Sequence, residues 1–147
     1  MDSVYTEEAK KVKTFAPDGS ENGFLIEVQK DKETGQKTEV YLTAAFPGAF
    51  KGYHLHRVRA ARYFILKGKM KISTYSHDGQ KWTRKETILD SEAPTRMFIP
   101  KDVATGLENI GTEEAWLVNY PDPAYDPSLK DEQVEYTQEE LEQGIVK

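Results

Sequence analysis

The chain has 147 residues, 20 Lys and Arg against 25 Asp and Glu, a formal charge of −5 and a pI near 5.3. That length suits one domain able to bury about two-thirds of its unfolded surface, and the acidic balance excludes the broad cationic field that nucleic acid or an anionic membrane requires. Cysteine is absent, which excludes disulfides, thiol catalysis and thiolate metal sites and fits a reducing, cytoplasmic compartment.

Residues 1–22 are mostly polar, with a turn signal at Pro17-Asp18-Gly19, and are expected to form an arm or an edge strand. Their first part lacks the apolar core of a signal peptide, and no later run approaches the roughly 18 apolar residues of a membrane span. Short segments rich in aromatic and β-branched residues follow, divided by Gly, Pro, Asp and Asn, at 23–29, 38–46, 52–58, 62–67, 69–75, 81–89, 96–99, 106–110 and 115–120. Many short strands with frequent turns predict an all-β sandwich or barrel. Met70, Ile72 and Thr74 alternate with Lys69, Lys71 and Ser73, the pattern of a strand with one wet face, and Lys67 to Lys71 reads as solvated. His77-Asp78-Gly79-Gln80 supplies the turn into the next strand and sets His77 at the surface. Trp82 and Trp116 are expected in the core or an interface. Helical signals appear only near the end, where Thr137 caps a first turn containing Glu139 and Glu140 and Gly144 stops it. The expected organisation is one domain over 1–147, with the arm at 1–22, a barrel at 23–121 and a C-terminal loop and helix at 122–147.

From Gly48 the chain reads Gly-x5-His54-x-His56-x4-Ala61-x6-Gly68, and further on Pro100-Lys101-Asp102-Val103-Ala104-Thr105-Gly106-Leu107-Glu108-Asn109. These stretches resemble the two cupin patterns, G-x5-H-x-H-x3-4-E-x6-G and P-x-G-x2-H-x3-N. The resemblance implies an all-β cupin fold, a double-stranded β-helix or jelly-roll barrel, with a short C-terminal helix. The chain departs from the patterns where a metal would be held: the glutamate is Ala61 and the third histidine is Thr105. Two His, one Glu and a further His suit a first-row metal, whereas two imidazoles alone fall short of the three or four protein ligands that stable sites use. Neither a metal nor another cofactor is expected.

Around the first pattern, Lys51-Gly52-Tyr53-His54-Leu55-His56 resembles the R-G-L-H-Y-Q segment of dTDP-4-dehydrorhamnose 3,5-epimerases and the R-G-x-H-A-H segment of dTDP-sugar 3,4-ketoisomerases. Phe98 to Asn109 is similar to the epimerases' I-P-x-G-x-A-H-G-F stretch, and Asn119 to Pro127 to their T-D-Y-Y-x-P segment. The likeness spans roughly residues 23–132. It implies that His54 is the general base that takes a proton from carbon next to a sugar ketone, that His56 polarises the ketone or is a second proton carrier, and that Tyr125 is the acid, with Tyr120 nearby in a substrate-binding role. Such chemistry needs an imidazole titrating near neutrality, a group that fixes its tautomer, and a cation or donor set for the enolate. The epimerases place that cation, a lysine, where this chain has Ala61, and they orient the base with the aspartate of a W-N-D-P segment that the chain lacks. Arg59 and Arg62 flank the lysine's place, and alternation sets Arg59 on the face of Ala61. Together with Lys51 they are expected to bind a diphosphate, which Arg forks suit.

The expected function is that of a metal-independent epimerase or isomerase acting on a nucleoside-diphosphate 4-ketosugar, dTDP-linked, in deoxysugar and surface-polysaccharide biosynthesis. Its partners are a small-molecule substrate and a second copy of itself, since edge strands invite pairing, with no nucleic acid or membrane. Ala61 and Thr105 favour an alternative, a non-catalytic sugar- or nucleotide-binding cupin. A metal-dependent cupin enzyme is the third reading.

Overall fold

A computed structural model of the chain describes residues 10–30 and 39–147, the side chains of 28–30 excepted. Its elements are β1 (Lys11–Phe15), β2 (Glu21–Lys30), β3 (Glu39–Ala45), β4 (Phe50–His56), β5 (Ala61–Lys67), β6 (Lys69–His77), β7 (Trp82–Asp90), β8 (Arg96–Ile99), β9 (Val103–Asn109), β10 (Ala115–Asn119), β11 (Gln133–Glu135) and a helix, α1 (Gln138–Glu142). The strands form two antiparallel sheets, ordered β1-β2-β3-β10-β5-β8 and β11-β4-β9-β6-β7. This is the cupin barrel that the sequence patterns imply. The first nine residues of the expected arm, and Thr38 at the start of the expected second strand, lie outside the described residues.

Period-two alternation builds the interior. Ala45, Ile65, Ile99, Ala115 and Leu117 of the larger sheet meet Met70, Ile72, Leu89 and Leu107 of the smaller one in one buried cluster. Each large side chain there contributes about 1.5–3 kcal/mol of apolar transfer. The smaller sheet has a second dry side. Tyr53, Leu55, Tyr75 and Ala104 on its outer face are covered by Tyr136 and Leu141 of the C-terminal segment, with Trp82 and Val134 at the margin. Thr137 and Glu140 cap α1 reciprocally, and its Leu141 is the residue that reaches the sheet.

That cover corrects the reading of β6. Ser73, expected in water, is buried because its row is closed over by aromatic rings: Gly106 pairs with it across the ladder, and without a Cβ it lets Phe50 and Tyr53 lie on the backbone. His77 is also less free than expected. It ends β6, stacks edge-on against Trp82 at 4.9 Å and accepts a hydrogen bond from the Gly79 N–H. Arg59 belongs to the link between β4 and β5 and not to a strand, so the alternation argument does not place it.

One irregularity in β4 sets which of its side chains face inward. Lys51 pairs with Leu107 and His54 with Thr105, so three steps on β4 match two on β9. The bulge occurs at Gly52, whose φ is 121° and where a Cβ would stand 2.6 Å from the Thr105 carbonyl oxygen. Only glycine suits that backbone. Gly52→Ala should therefore lose more than the roughly 1–3 kcal/mol that a strained φ alone costs, read as a lower denaturant midpoint; an unchanged midpoint would show that the bulge accommodates a side chain.

Candidate active site

The smaller sheet brings a polar row into the barrel. Glu135, His54, Thr105 and Thr74 pair in register across β11, β4, β9 and β6. His56 follows on the same face of β4, since Tyr53 and Leu55 point outward into the second cluster. From the larger sheet Tyr63 packs against the inter-sheet core with Ala61. Tyr41 is on the inward face of β3, four residues before the buried Ala45. Thr105, the residue at the missing third histidine, thus lies directly beside His54.

His56 is held by a carboxylate that no sequence pattern marks. Glu132 precedes β11 and is buried. Its Oε1 accepts from the Arg59 main-chain N–H and from Arg59 Nε, both at 3.1 Å, and its Oε2 lies 3.1 Å from His56 Nδ1. Arg59 is equally enclosed, with a side chain 10% exposed. Burial works against charge on Glu132, but the hydrogen bonds from Arg59 and His56 outweigh it and hold the carboxyl below its ordinary range. Arg59 Nη2 also comes within 3.1 Å of His56 Nδ1, so the two neighbours make opposite demands on that nitrogen. The carboxylate decides: a bare Nδ1 would set its lone pair against an ionised oxygen, whereas Arg59 also directs Nε and Nη2 onto Glu132. His56 therefore carries its proton on Nδ1, and its Nε2 lone pair faces away from the network.

His54 is dressed differently. The Gln133 amide Nε2 approaches its Nδ1 at 3.2 Å, and Glu135 Oε1 stands farther off at 3.8 Å. With the amide donating, Nδ1 accepts and the neutral ring's proton sits on Nε2. With that amide orientation the two imidazoles on the strand are of opposite tautomer. Burial pushes the pKa of both below the ordinary value; Glu135 partly offsets this at His54, where the charges of His56 and Lys51 push further down, while at His56 Glu132 opposes the shift and Arg59 adds to it.

Above this pair, Tyr125 places its ring 5.1 Å from the Arg59 guanidinium and donates its main-chain N–H to Glu39 at 2.9 Å. Glu39 is buried and also bonds the Tyr41 hydroxyl, which burial and that carboxylate hold protonated well above a phenol's ordinary range. Burial likewise raises Tyr63, to about 12. The charge of Arg59 is felt at both phenols.

Of the residues singled out in the sequence, His54, His56, Arg59 and Tyr125 come together at this end of the barrel. Lys51 faces inward farther along β4, its Nζ 2.7 Å from Thr14 Oγ1. Arg62 and Tyr120 stand apart on the outer side of the larger sheet, where Arg62 pairs with Asp122 at 3.4 Å and stacks on Phe98 beside a cleft of about 640 Å³. Lys51, Arg59 and Arg62 thus do not form one cationic cluster. The sequence reading missed Glu132, Gln133, Glu39, Tyr41 and Tyr63. Tyr63 was within reach, two residues after Ala61 on one strand face; the others had no pattern to reveal them.

The donor set does not fit the metal that cupin patterns imply. Ala61 and Thr105 supply no ligand, Glu132 sits behind His56 on the Nδ1 side and is committed to Arg59, and among the described residues no group of three His, Asp or Glu side chains converges to hold an ion.

A family model described as polysaccharide biosynthesis C-terminal domain matches residues 18–133. The chain is 25% identical over 130 residues to the spore coat polysaccharide biosynthesis protein SpsL of Bacillus subtilis, covering 83% of this chain and 84% of SpsL. It is 26% identical to the probable low-salt glycan biosynthesis epimerase Agl13 of Haloferax volcanii, covering 84% and 83%. Among solved structures, the capsular polysaccharide assembling protein CapF from Staphylococcus aureus shares the fold with a TM-score of 0.68 at 18% identity, over 85% of this chain and 34% of CapF. The chain therefore spans about a third of CapF's length.

Arg59→Met should cost about 3–5 kcal/mol, because it leaves the Glu132 carboxylate buried without its cation, measurable by chemical denaturation. In an NMR titration His54 and His56 should both titrate below the ordinary 6.5. Since the native rings bind protons less readily than the unfolded chain's, they contribute stability above about pH 6.5 that is lost as pH falls through their native pKa values. Midpoints above 6.5 would contradict the desolvated environment.

Proposed function

The chain belongs to the polysaccharide biosynthesis C-terminal domain family, and on that premise we propose that it is a metal-independent sugar epimerase acting on a nucleoside-diphosphate 4-ketosugar. The observation that carries this reading is the pair of imidazoles on one strand face, one of them held at Nδ1 by a buried carboxylate and the other by an amide. The name of Agl13, a probable glycan biosynthesis epimerase, supports the reaction class. The names of SpsL and CapF support a place in polysaccharide assembly.

In the proposed reaction His56 Nε2 removes the proton from carbon next to the ketone, and Glu132 stabilises the imidazolium that forms. The roles of the two histidines are thus exchanged relative to the sequence expectation, because it is His56 whose lone pair is free and whose ring is braced. His54 donates its Nε2–H to the ketone oxygen, where negative charge develops. Tyr125, over Arg59 at the rim, returns a proton to the opposite face of the carbon, which inverts it. Arg62, the exposed one of the three expected diphosphate ligands, reaches the nucleotide half from outside the barrel with Tyr120 beside it, and the linked nucleotide is dTDP. The protein works in the cytoplasm as a homodimer, paired through the free edge of β1, where Val12 and Phe15 are exposed. Light scattering at micromolar concentration should give twice the chain mass.

Incubation with nucleoside-diphosphate 4-ketosugars in D2O tests the chemistry. Deuterium should enter at carbon flanking the ketone. His56→Asn should slow that exchange by roughly 10²–10⁴-fold, the usual share of a positioned base, and Tyr125→Phe should preserve exchange while losing the inverted product. Exchange at the native rate in His56→Asn would sink the assignment. Absence of exchange with every such sugar, alongside retained affinity for them, would leave a binding protein instead.

A further inference from the structure

The barrel interior holds a cation that these steps leave unused. Lys51 pairs with Leu107, a residue of the inter-sheet core, so its side chain starts inward. Ordinary alternation would send residues three apart to opposite faces. The extra residue at the Gly52 bulge returns His54 to the face of Lys51, a single pleat repeat of roughly 7 Å along the strand. His56 continues the same column, so β4 stacks an ammonium and two imidazoles one above another.

The surroundings of Lys51 leave its charge unspent. Its Nζ donates to a neutral hydroxyl, Thr14 Oγ1, and lies near the Gly23 main chain. Leu107 faces it from β9 and His54 adjoins it on β4. None of these is acidic, and no ion pair to Lys51 occurs among the described residues. By contrast, Arg59 directs Nε and its main-chain N–H onto Glu132. The Lys51 charge is felt at His54, whose pKa it lowers, and burial brings the amine itself down to about 8.

We propose that Lys51 is a catalytic residue whose ammonium, next to His54 on the inward face of β4, receives the negative charge that develops on the substrate's ketone oxygen. This rests on the proposed ketosugar chemistry. As the C–H bond next to the ketone breaks, its proton passes to His56 and its electron pair forms a carbon–carbon double bond, so that the C=O pair moves onto oxygen. No bond forms to Lys51; reprotonation at carbon reverses the charge movement. A poorly hydrated ammonium stabilises such an oxyanion far more than a solvated one. The arrangement orients the substrate, with its ketone oxygen toward Lys51 and His54 and its acidic carbon at the level of His56.

Lys51→Met and Lys51→Arg test this in the full chain against the same D2O exchange. Lys51→Met keeps the stem and should lower kcat for exchange by roughly 10²–10³-fold, with KM within a few-fold of native and an unshifted thermal transition. Lys51→Arg should restore much of the rate. It should also abolish the alkaline limb near pH 8 expected of the native protein as its amine deprotonates. A Lys51→Met variant that exchanges at the native rate would overturn the inference alone, as would one in which KM rises and kcat holds, the signature of a diphosphate ligand. Failure of the native protein to exchange any nucleotide ketosugar would remove the underlying reading together with it.

Discussion

The buried carboxylate of Glu132 is the interaction on which the site depends. It takes its charge from water into the barrel wall, and the cost is offset only because Arg59 meets it through main chain and side chain at once, at 3.1 Å each. A buried ion pair of this kind contributes little net stability, but it fixes positions. The Arg59 link is tied down between β4 and β5, β11 is drawn onto β4, and the His56 ring is set in one orientation with one nitrogen committed. Tyr125 then finds a flat guanidinium to lie on. In metal-binding cupins the ion would organise the imidazoles; here an ion pair behind the ring does so.

The bulge at Gly52 is the second constraint, and it acts through counting. By adding a residue to β4 it lets Tyr53 and Leu55 seal the outer face under Tyr136 and Leu141 while Lys51, His54 and His56 all point inward. The C-terminal segment has a double task. Tyr136 and Leu141 close the outside of the smaller sheet, and Glu132, Gln133 and Glu135, a few residues earlier, touch the two histidines. Detaching that segment would expose the second cluster and unbrace both rings together, which couples fold to chemistry.

Much of the barrel was legible in the sequence because alternation and turn chemistry are local. The β6 register, the Asp78-Gly79 turn and the Thr137 cap all follow from a few adjacent residues. Asp102 stands at the glycine of the second pattern and keeps the left-handed backbone, with φ of 65°, which Asp tolerates better than most residues. Ser73 was misread because its cover comes from rings on β4, far away in the chain. The histidine pair and Tyr125 were visible as residue types at a spacing. Glu132 was not, since it lies 76 residues from His56, outside any regular element, and is defined only by what it meets. Lys51 was visible as a positive charge but not as one on the inward face of β4, because a bulge shifts faces without leaving a pattern.

The central claim is that one strand carries two imidazoles with opposite proton placement, a base and a donor prepared before substrate arrives. A long-range ¹H–¹⁵N correlation spectrum of the native protein at neutral pH reads this directly. The account predicts His56 protonated at Nδ1 and His54 protonated at Nε2. Both rings in the same tautomer, or the reverse assignment, would contradict it.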